Sequence, residues 1–296
     1  MRTRKKVLAL LAVLFTAAGL PMVVGAQTIP NGAAIDAEVR KIMTHTRARG
    51  MAVAVLDHGK VGYVHAYGIR NAKEDPLTTD TVMYGASLTK TVFAYTVMQL
   101  VDQGKLNLDT PIKDDLDKAL PSYGRDPVFP DKNGPYEDLA DDSRWEKLTP
   151  RTCLTHSTGF SNFWFIEPDQ KLRLHFEPGT RYSYSGEGFI LMQFVIEHGR
   201  KTQGLGLDVG DLAKANFDRL AMTRTSLVWR EDFAANLADG WNDQGQPQEH
   251  DQRSKVRAAG SNDVRSEAGF ADLVRFILGD TGVPYDWEYG DHAGKS

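Results

Sequence analysis

The chain has almost no cysteine and, beyond its N-terminal segment, no long hydrophobic run. Cys153 is the only cysteine among 296 residues, so no intramolecular disulfide can form and stability must come from packing. Beyond the N-terminal segment, no run approaches the ~18 apolar residues that a membrane-spanning helix needs. We therefore expect no permanent membrane span in the mature chain.

Several signatures of ligands and chemistry are also missing. The formal net charge is −4 and the Lys and Arg residues are scattered, which argues against a nucleic-acid partner. The sequence has no His-Glu-x-x-His pattern and no Cys/His cluster, so we predict no metal site, and no pattern indicates a cofactor. It has no Gly-x-Ser-x-Gly elbow, so an α/β-hydrolase is unsupported.

The N-terminus has the pattern of a secretory signal peptide. Positively charged residues within positions 2–6 precede a largely apolar run from Val7 to Leu20, and the small residues of Val24-Gly25-Ala26 suit cleavage. We predict a signal peptide over 1–26, one mature domain over 27–296, and a periplasmic or secreted location. An uncleaved N-terminal anchor is the alternative.

Hydrophobic periodicity predicts more helices than strands. An amphipathic helix is expected from Ile35 to Arg49. Two β-rich runs, 51–56 and 61–67, flank Asp57-His58-Gly59-Lys60 and predict a hairpin. The segment from Leu108 to Trp145 has little periodicity, so we predict a long loop with one helical turn. Further helices are predicted from Thr149 to Leu154, Phe189 to His198, Asp211 to Leu220 and Glu267 to Leu278.

The most informative pattern is Ser87-Leu88-Thr89-Lys90 at the start of another predicted helix. Apolar residues recur every three or four positions from Leu88 to Val101, and Gly104 marks the helix end. Residues three apart share a helix face, so the Ser87 hydroxyl should lie beside the Lys90 amine. This is a nucleophile with a candidate base at a helix N-terminus. A capping serine beside a solvated lysine is the simpler alternative.

Other segments accompany this motif in a fixed order. The predicted hairpin precedes it; Leu154 to Phe160, with the sequence LTHSTGF, follows; Pro178-Gly179 and then Tyr184-Ser185 come last. Together they resemble the serine β-lactamase-related family of class C β-lactamases, D-Ala-D-Ala peptidases and similar esterases. The resemblance spans residues 35–278. It implies an α+β, β-lactamase/transpeptidase-like fold, with an antiparallel sheet flanked by helices and a helical region after the Ser87 helix.

The same resemblance implies acyl transfer by three catalytic residues. Ser87 would attack a carbonyl and form an acyl-enzyme, while Lys90 and Tyr184 share the proton, with the choice of base left open. The expected protein is an exported serine hydrolase whose substrate is a small molecule or peptide-like compound: an ester, an amide or a β-lactam. His156 is expected to be structural rather than catalytic. A core aromatic role is the alternative for Tyr184.

The chain departs from the family pattern in two places. Gly186 stands where the family has an Asn that holds a substrate amide, with Glu187 as the candidate substitute, so we assign both to substrate binding and expect simple esters to be better substrates than β-lactams. His292-Ala293-Gly294 is the formal match to the family's third motif, and His292 is likewise assigned to substrate binding. Its spacing is short, so we expect the C-terminal strands to be missing. A non-catalytic or inactive penicillin-binding-like fragment is the alternative function.

Overall fold

The structure, a computed structural model, describes residues 29–124, 134–200, 207–242, 244–248, 256–259 and 264–266. The predicted signal peptide, the predicted helix from Glu267 to Leu278, and His292 lie outside these ranges. Within them, no helix is both long and apolar enough to cross a membrane.

The first helix, α1, spans Gly32–Thr46. It begins at Asn31, whose side-chain oxygen accepts a hydrogen bond from the Ala34 N–H at 2.9 Å, and it ends at Arg47 in the left-handed conformation. The predicted helix is confirmed, but it starts earlier than hydrophobic periodicity alone suggests, because the Asn31 cap satisfies a free N–H of the first turn.

The predicted hairpin is also confirmed. Strand β1 spans Gly50–Asp57 and pairs antiparallel with β2, which spans Lys60–Gly68. The turn residues His58 and Gly59 have φ values of 47° and 73°, the backbone conformation that matches the right-handed twist of the flanking strands.

Five shorter strands follow, none of which the sequence analysis predicted. They are β3 (Val82–Tyr84), β4 (Thr225–Ser226), β5 (Gly240–Trp241), β6 (Pro247–Gln248) and β7 (Val264–Ser266). Strand β7 lies between β3 and β4 and pairs antiparallel with both, while β5 pairs antiparallel with β6. Helices beside antiparallel sheets make this an α+β fold, as predicted.

Helix α2 spans Thr89–Asp102 and is preceded by a single 3₁₀ turn over Ala86–Leu88. The remaining helices are α3 (Pro150–Leu154), α4 (Gly186–His198) and α5 (Val209–Arg219). Every residue of α4 from Gly186 to Ile196 is buried. Since a fully buried large apolar side chain contributes ~1.5–3 kcal/mol, α4 is a main stabilising element of the core. It packs against α2, where the Phe93 and Phe189 rings lie 5.9 Å apart.

The segment from Leu108 to Trp145 differs from the predicted long loop. Its described parts form short 3₁₀ turns, at Ile112–Asp114, Leu120–Ser122, Tyr136–Leu139 and Ser143–Lys147. Ile112, Leu120 and Leu139 are fully buried in the same cluster as the apolar residues of α2 and α4. Turns of three to five residues are too short to show helical periodicity, so the pattern of the sequence does not reveal that this segment forms part of the core.

Candidate active site

Ser87 lies where the chain passes from β3 into α2. After Gly85, Ala86 adopts φ 41°, an uncommon conformation for a residue with a side chain. The Leu88 N–H then donates to the Gly85 carbonyl at 2.8 Å and closes the turn that carries Ser87. Strained backbone of this kind costs ~1–3 kcal/mol and persists only where surrounding structure enforces it. Ser87 therefore sits in the tight turn ahead of the α-helix.

The three predicted catalytic side chains converge on one oxygen atom. The Lys90 ammonium donates to Ser87 Oγ at 3.2 Å, and the Tyr184 hydroxyl donates to the same oxygen at 3.0 Å. Lys90 Nζ also lies 4.9 Å from the centre of the Tyr184 ring. Tyr184 comes from the segment just before α4, so the trio is assembled by the packing of α4 against α2.

Neutral groups surround the Lys90 ammonium. The side chain is 6% exposed. Besides Ser87, it donates to the main-chain carbonyl of Ala259, and it lies 5.7 Å from the centre of the Phe189 ring. No ion pair to Lys90 is found in the part of the chain that the structure describes. Carbonyl, hydroxyl and aromatic faces thus orient this ammonium toward Ser87 without neutralising it.

The Tyr184 phenol is more acidic than that of an ordinary tyrosine. Burial acts to raise the pKa of its phenol, but the interactions with Lys90 and Ser87, together with the positive charge of Lys90, outweigh burial and hold the pKa below its ordinary value. The side chain is 40% exposed, so its hydroxyl can meet a ligand from solvent. Tyr184 is therefore suited to exchanging a proton with Ser87.

His156 supports Tyr184 rather than the nucleophile. Its Nδ1 lies 3.0 Å from the nitrogen of the Ser185 N–H, which donates to it, and 3.1 Å from the Ser185 carbonyl oxygen. The ring stacks on that of Tyr184 with 4.4 Å between centres. Burial lowers the pKa of His156, and the charge of Lys90 lowers it further. Together they outweigh the Ser185 carbonyl, which raises the pKa, so the neutral ring is favoured. These contacts are those of a residue that holds the Tyr184 segment in place.

Gly186 occupies a position where no side chain fits. Its N–H donates to both the side-chain and main-chain oxygens of Asn162, each at 2.9 Å. A Cβ atom on Gly186 would lie 2.7 Å from the Phe163 ring, 2.9 Å from the Asn162 carbonyl and 3.0 Å from its side-chain oxygen. The Asn162 amide thus fills the space beside the backbone at 186. The sequence analysis did not single out Asn162, because no local pattern links it to a residue 24 positions away.

Glu187 points into the protein. It is 2% exposed, and one carboxyl oxygen accepts the Trp164 N–H at 3.1 Å. The other oxygen has no hydrogen-bond partner among the described residues. Burial raises the pKa of Glu187 to about 7, against the opposing effects of the Trp164 N–H and the Arg257 charge. This geometry joins the first turn of α4 to the 162–164 segment.

The role predicted for His292 falls on a residue outside the described ranges.

The arrangement offers a hydroxyl, an amine and a phenol as reactive groups. Among the described residues, no set of three or more His, Cys, Asp or Glu side chains is arranged to hold a metal ion. An α+β fold in which a serine meets a lysine and a tyrosine at the start of a buried helix defines a chain of the serine β-lactamase class. The sequence profile of the Beta-lactamase family matches residues 35–294, and the chain belongs to that family.

Similar proteins have several activities. The chain is 30% identical over 224 residues to lovastatin esterase of Penicillium rubens, a match that covers 65% of this chain and 53% of the esterase. It therefore spans about half the length of that relative. A D-alanine carboxypeptidase from Burkholderia cenocepacia has a similar structure, with a TM-score of 0.65 at 19% identity, covering 85% of this chain and 66% of that one.

A class C β-lactamase from Rhodobacter sphaeroides also has this fold. Its TM-score is 0.61 at 20% identity, and the match covers 81% of this chain and 64% of that one. The predicted β-lactamase/transpeptidase-like fold is thereby confirmed.

Proposed function

We propose that this chain is an exported serine hydrolase that forms an acyl-enzyme at Ser87. The observation that carries the proposal is the convergence of Lys90 and Tyr184 on Ser87 Oγ, at 3.2 and 3.0 Å. A serine hydroxyl is a weak nucleophile until a neighbouring group takes its proton, and both neighbours are within reach of that proton.

The reaction begins when Ser87 Oγ attacks the carbonyl carbon of the substrate. The Ser87 proton passes to the Lys90–Tyr184 pair as the new C–O bond forms. The pair then returns the proton to the leaving alcohol or amine, and the bond to that group breaks to give acyl-Ser87. Water attacks the acyl carbon and gives a proton to the same pair. The bond between that carbon and Ser87 Oγ then breaks, and the pair returns the proton to Oγ as the acid leaves.

Attack by Ser87 gives a tetrahedral intermediate whose former carbonyl oxygen is negatively charged. Hydrogen-bond donors near Ser87 must stabilise that charge. The Ser87 backbone N–H, ahead of α2, is one such donor, and the positive end of the α2 dipole lies behind it. Removing a single donor of this kind costs other acyl-transfer enzymes ~10²–10³-fold in kcat.

The substrate class follows from the filled space at Gly186. With Asn162 and Phe163 packed against its backbone, position 186 cannot offer the side-chain amide that the family uses to hold a substrate amide. We therefore propose that simple esters are better substrates than β-lactams, in keeping with the name of the lovastatin esterase relative. Gly186, Glu187 and His292 remain proposed substrate-binding residues, with Glu187 acting through the first turn of α4 because its own side chain is buried.

Location is the second part of the proposal. The pattern over residues 1–26 supports export and cleavage, which would place the mature chain in the periplasm or outside the cell.

The test is covalent labelling of the chain with a fluorophosphonate, followed by intact-mass and peptide analysis. We expect one adduct at Ser87 in the wild type and none in Ser87→Ala. Esterase activity on p-nitrophenyl acetate should fall in that variant by ~10³-fold or more. Ser122→Ala, which removes a hydroxyl from a 3₁₀ turn, is the matched control and should label like the wild type.

Two results would overturn parts of the proposal. No adduct with either fluorophosphonate or penicillin would favour the inactive penicillin-binding-like alternative. A kcat/KM for nitrocefin about tenfold above that for p-nitrophenyl acetate would leave the acyl-enzyme standing and refute the preference for esters.

A further inference from the structure

Helix α4 carries a polar residue in the middle of an apolar, buried run. Gln193 is 3% exposed, and its neighbours from Phe189 to Ile196 are otherwise apolar. A buried amide left without partners costs ~1–3 kcal/mol, so its hydrogen bonds identify what it holds.

Those bonds go to the backbone of a distant segment. Gln193 Oε1 accepts the Ala258 N–H at 2.8 Å, and Nε2 donates to the Val256 carbonyl at 3.2 Å. Nε2 also donates to Glu197 one turn along α4, at 2.9 Å, which fixes the orientation of the amide. The side chain therefore binds two main-chain groups of residues 256–258 in the way that a neighbouring strand does.

Ala259, the next residue of that segment, contacts Lys90. Ala259 is 2% exposed, and its carbonyl accepts a hydrogen bond from the Lys90 ammonium. Lys90 donates in turn to Ser87 Oγ at 3.2 Å. A lysine side chain has four rotatable bonds, so a second anchor is what keeps its ammonium on one atom. The described contacts thus run unbroken from Gln193, through the 256–259 backbone, to Ser87.

We propose that Gln193 is a positioning residue: it fixes the 256–259 backbone so that the Ala259 carbonyl holds Lys90 against Ser87. This inference rests on the proposed hydrolase function for its catalytic consequence. It concerns a residue that does not touch the substrate or Ser87 itself.

The test compares Gln193→Met with Thr96→Val. Methionine keeps the volume of glutamine and loses both hydrogen bonds to the segment. Thr96 is also buried, donates to the Val92 carbonyl and accepts from Asn216, and lies on α2 without a described contact to 256–259. Both variants remove polar contacts from the core, but only one releases the segment.

The first readout is the rate of fluorophosphonate labelling at Ser87 across pH. In Gln193→Met we expect a fall of about tenfold or more, since small displacements of catalytic groups have costs of this order. Thr96→Val should keep the wild-type rate and profile.

The second readout does not depend on activity. Trace acetylation of Lys90 by acetic anhydride, measured against exposed Lys41, should increase in Gln193→Met and stay at the wild-type level in Thr96→Val. In the wild type, the Ala258 amide should exchange hydrogen as slowly as the amides of α4. Because it uses only the wild type, the exchange measurement remains valid even if Gln193→Met does not fold.

The outcomes separate the two proposals. A wild type that is never labelled at Ser87 refutes the hydrolase, while Lys90 acetylation and Ala258 exchange still decide the role of Gln193. Rapid exchange at Ala258, or a Gln193→Met variant with wild-type labelling and wild-type Lys90 acetylation, overturns the inference about Gln193.

Discussion

In the proposed reaction, one residue beside Ser87 is held in a fixed orientation and another exchanges the proton. Lys90 is held by groups that accept or attract its ammonium, and Tyr184 is stacked on a neutral His156. Of the two, Tyr184 has the pKa that its surroundings lower. This favours the phenol as the group that takes the Ser87 proton, with the Lys90 charge stabilising the phenolate.

Replacing Tyr184 by Phe tests this division. We expect kcat/KM for p-nitrophenyl acetate to fall by ~10²–10⁴-fold, the usual contribution of a general base. In the wild type, activity should increase with pH along a limb whose midpoint lies below ~10, since the pKa of Tyr184 is lowered from that ordinary value. A pH–rate profile measures both.

Tyr182→Phe is the matched control. Tyr182 lies two positions earlier, is 71% exposed and meets the His156 ring in an edge-to-face contact, with 5.7 Å between ring centres. Its loss of a hydroxyl should leave kcat/KM unchanged. A Tyr184→Phe variant as active as this control would contradict the assignment.

Glu187 makes stability depend on pH. Its folded pKa of about 7 lies above the ~4.3 of an unfolded glutamate, so the folded state binds the extra proton between these values. The free energy of unfolding should therefore decrease by about 3–4 kcal/mol as pH rises through this window. Glu187→Gln should abolish that slope and be the more stable protein at pH 8, measured by urea unfolding.

The control is Glu38→Gln on α1, where an exposed carboxylate next to Lys41 is removed instead. It should keep the wild-type slope. Equal slopes in wild type and Glu187→Gln would show that burial of Glu187 does not determine this pH dependence.

At the scale of elements, capping determines where the short helix α3 begins. The Thr149 hydroxyl accepts the Thr152 N–H at 3.2 Å, and the Thr152 hydroxyl accepts the Thr149 N–H at 3.0 Å. Pro150 occupies the first helical position, where no N–H is needed. The helix leads directly into the turn that carries His156.

Thr149→Ala should lower the stability of the protein by ~1 kcal/mol, the usual cost of losing a cap. For a domain of this size, that shift corresponds to a Tm lower by ~2–4 °C in a thermal melt. Thr149→Ser keeps the hydroxyl and should melt like the wild type. A larger loss in Thr149→Ser than in Thr149→Ala would be inconsistent with capping.

Long helices and strands bounded by a recognisable turn or end residue could be predicted from the sequence. Helices α2 and α4 have several turns of apolar spacing, and the β1–β2 hairpin has its turn residues in place. Strands β3, β4 and β7 could not be predicted, because two or three residues are too few to show alternation. Their pairing depends on partners far along the chain.

At the scale of the whole molecule, Cys153 reports on the integrity of the core. Its thiol is fully buried in the main apolar cluster, and burial raises its pKa to about 12. The native protein should therefore react with a disulfide reagent only as fast as the core opens. Thiol titration should show no fast reaction in buffer and complete reaction in denaturant.

Gln193→Met or Thr149→Ala should speed this reaction exponentially with the stability that each variant loses, by about tenfold for every 1.4 kcal/mol. Immediate reaction of the native wild type would show that Cys153 is not enclosed as described.

The candidate site could be predicted only in part. Ser87, Lys90 and Tyr184 carry side-chain chemistry in recognisable motifs, so the sequence reveals them. Ala259 contributes a backbone carbonyl, which every residue has, and it meets Lys90 across 169 positions of chain. Asn162 and Gln193 act through the same kind of long-range contact, and only folding brings such groups together.

The Ala259 contact has a consequence for when the protein can first act. During synthesis, the serine, the lysine and the tyrosine all emerge long before residue 259, yet the carbonyl that steadies the lysine is absent until that point. Closing so long a loop comes late in folding, because its entropy must be offset by contacts already formed. Under the proposed function, a growing chain whose residue 259 has not yet emerged should not hydrolyse esters.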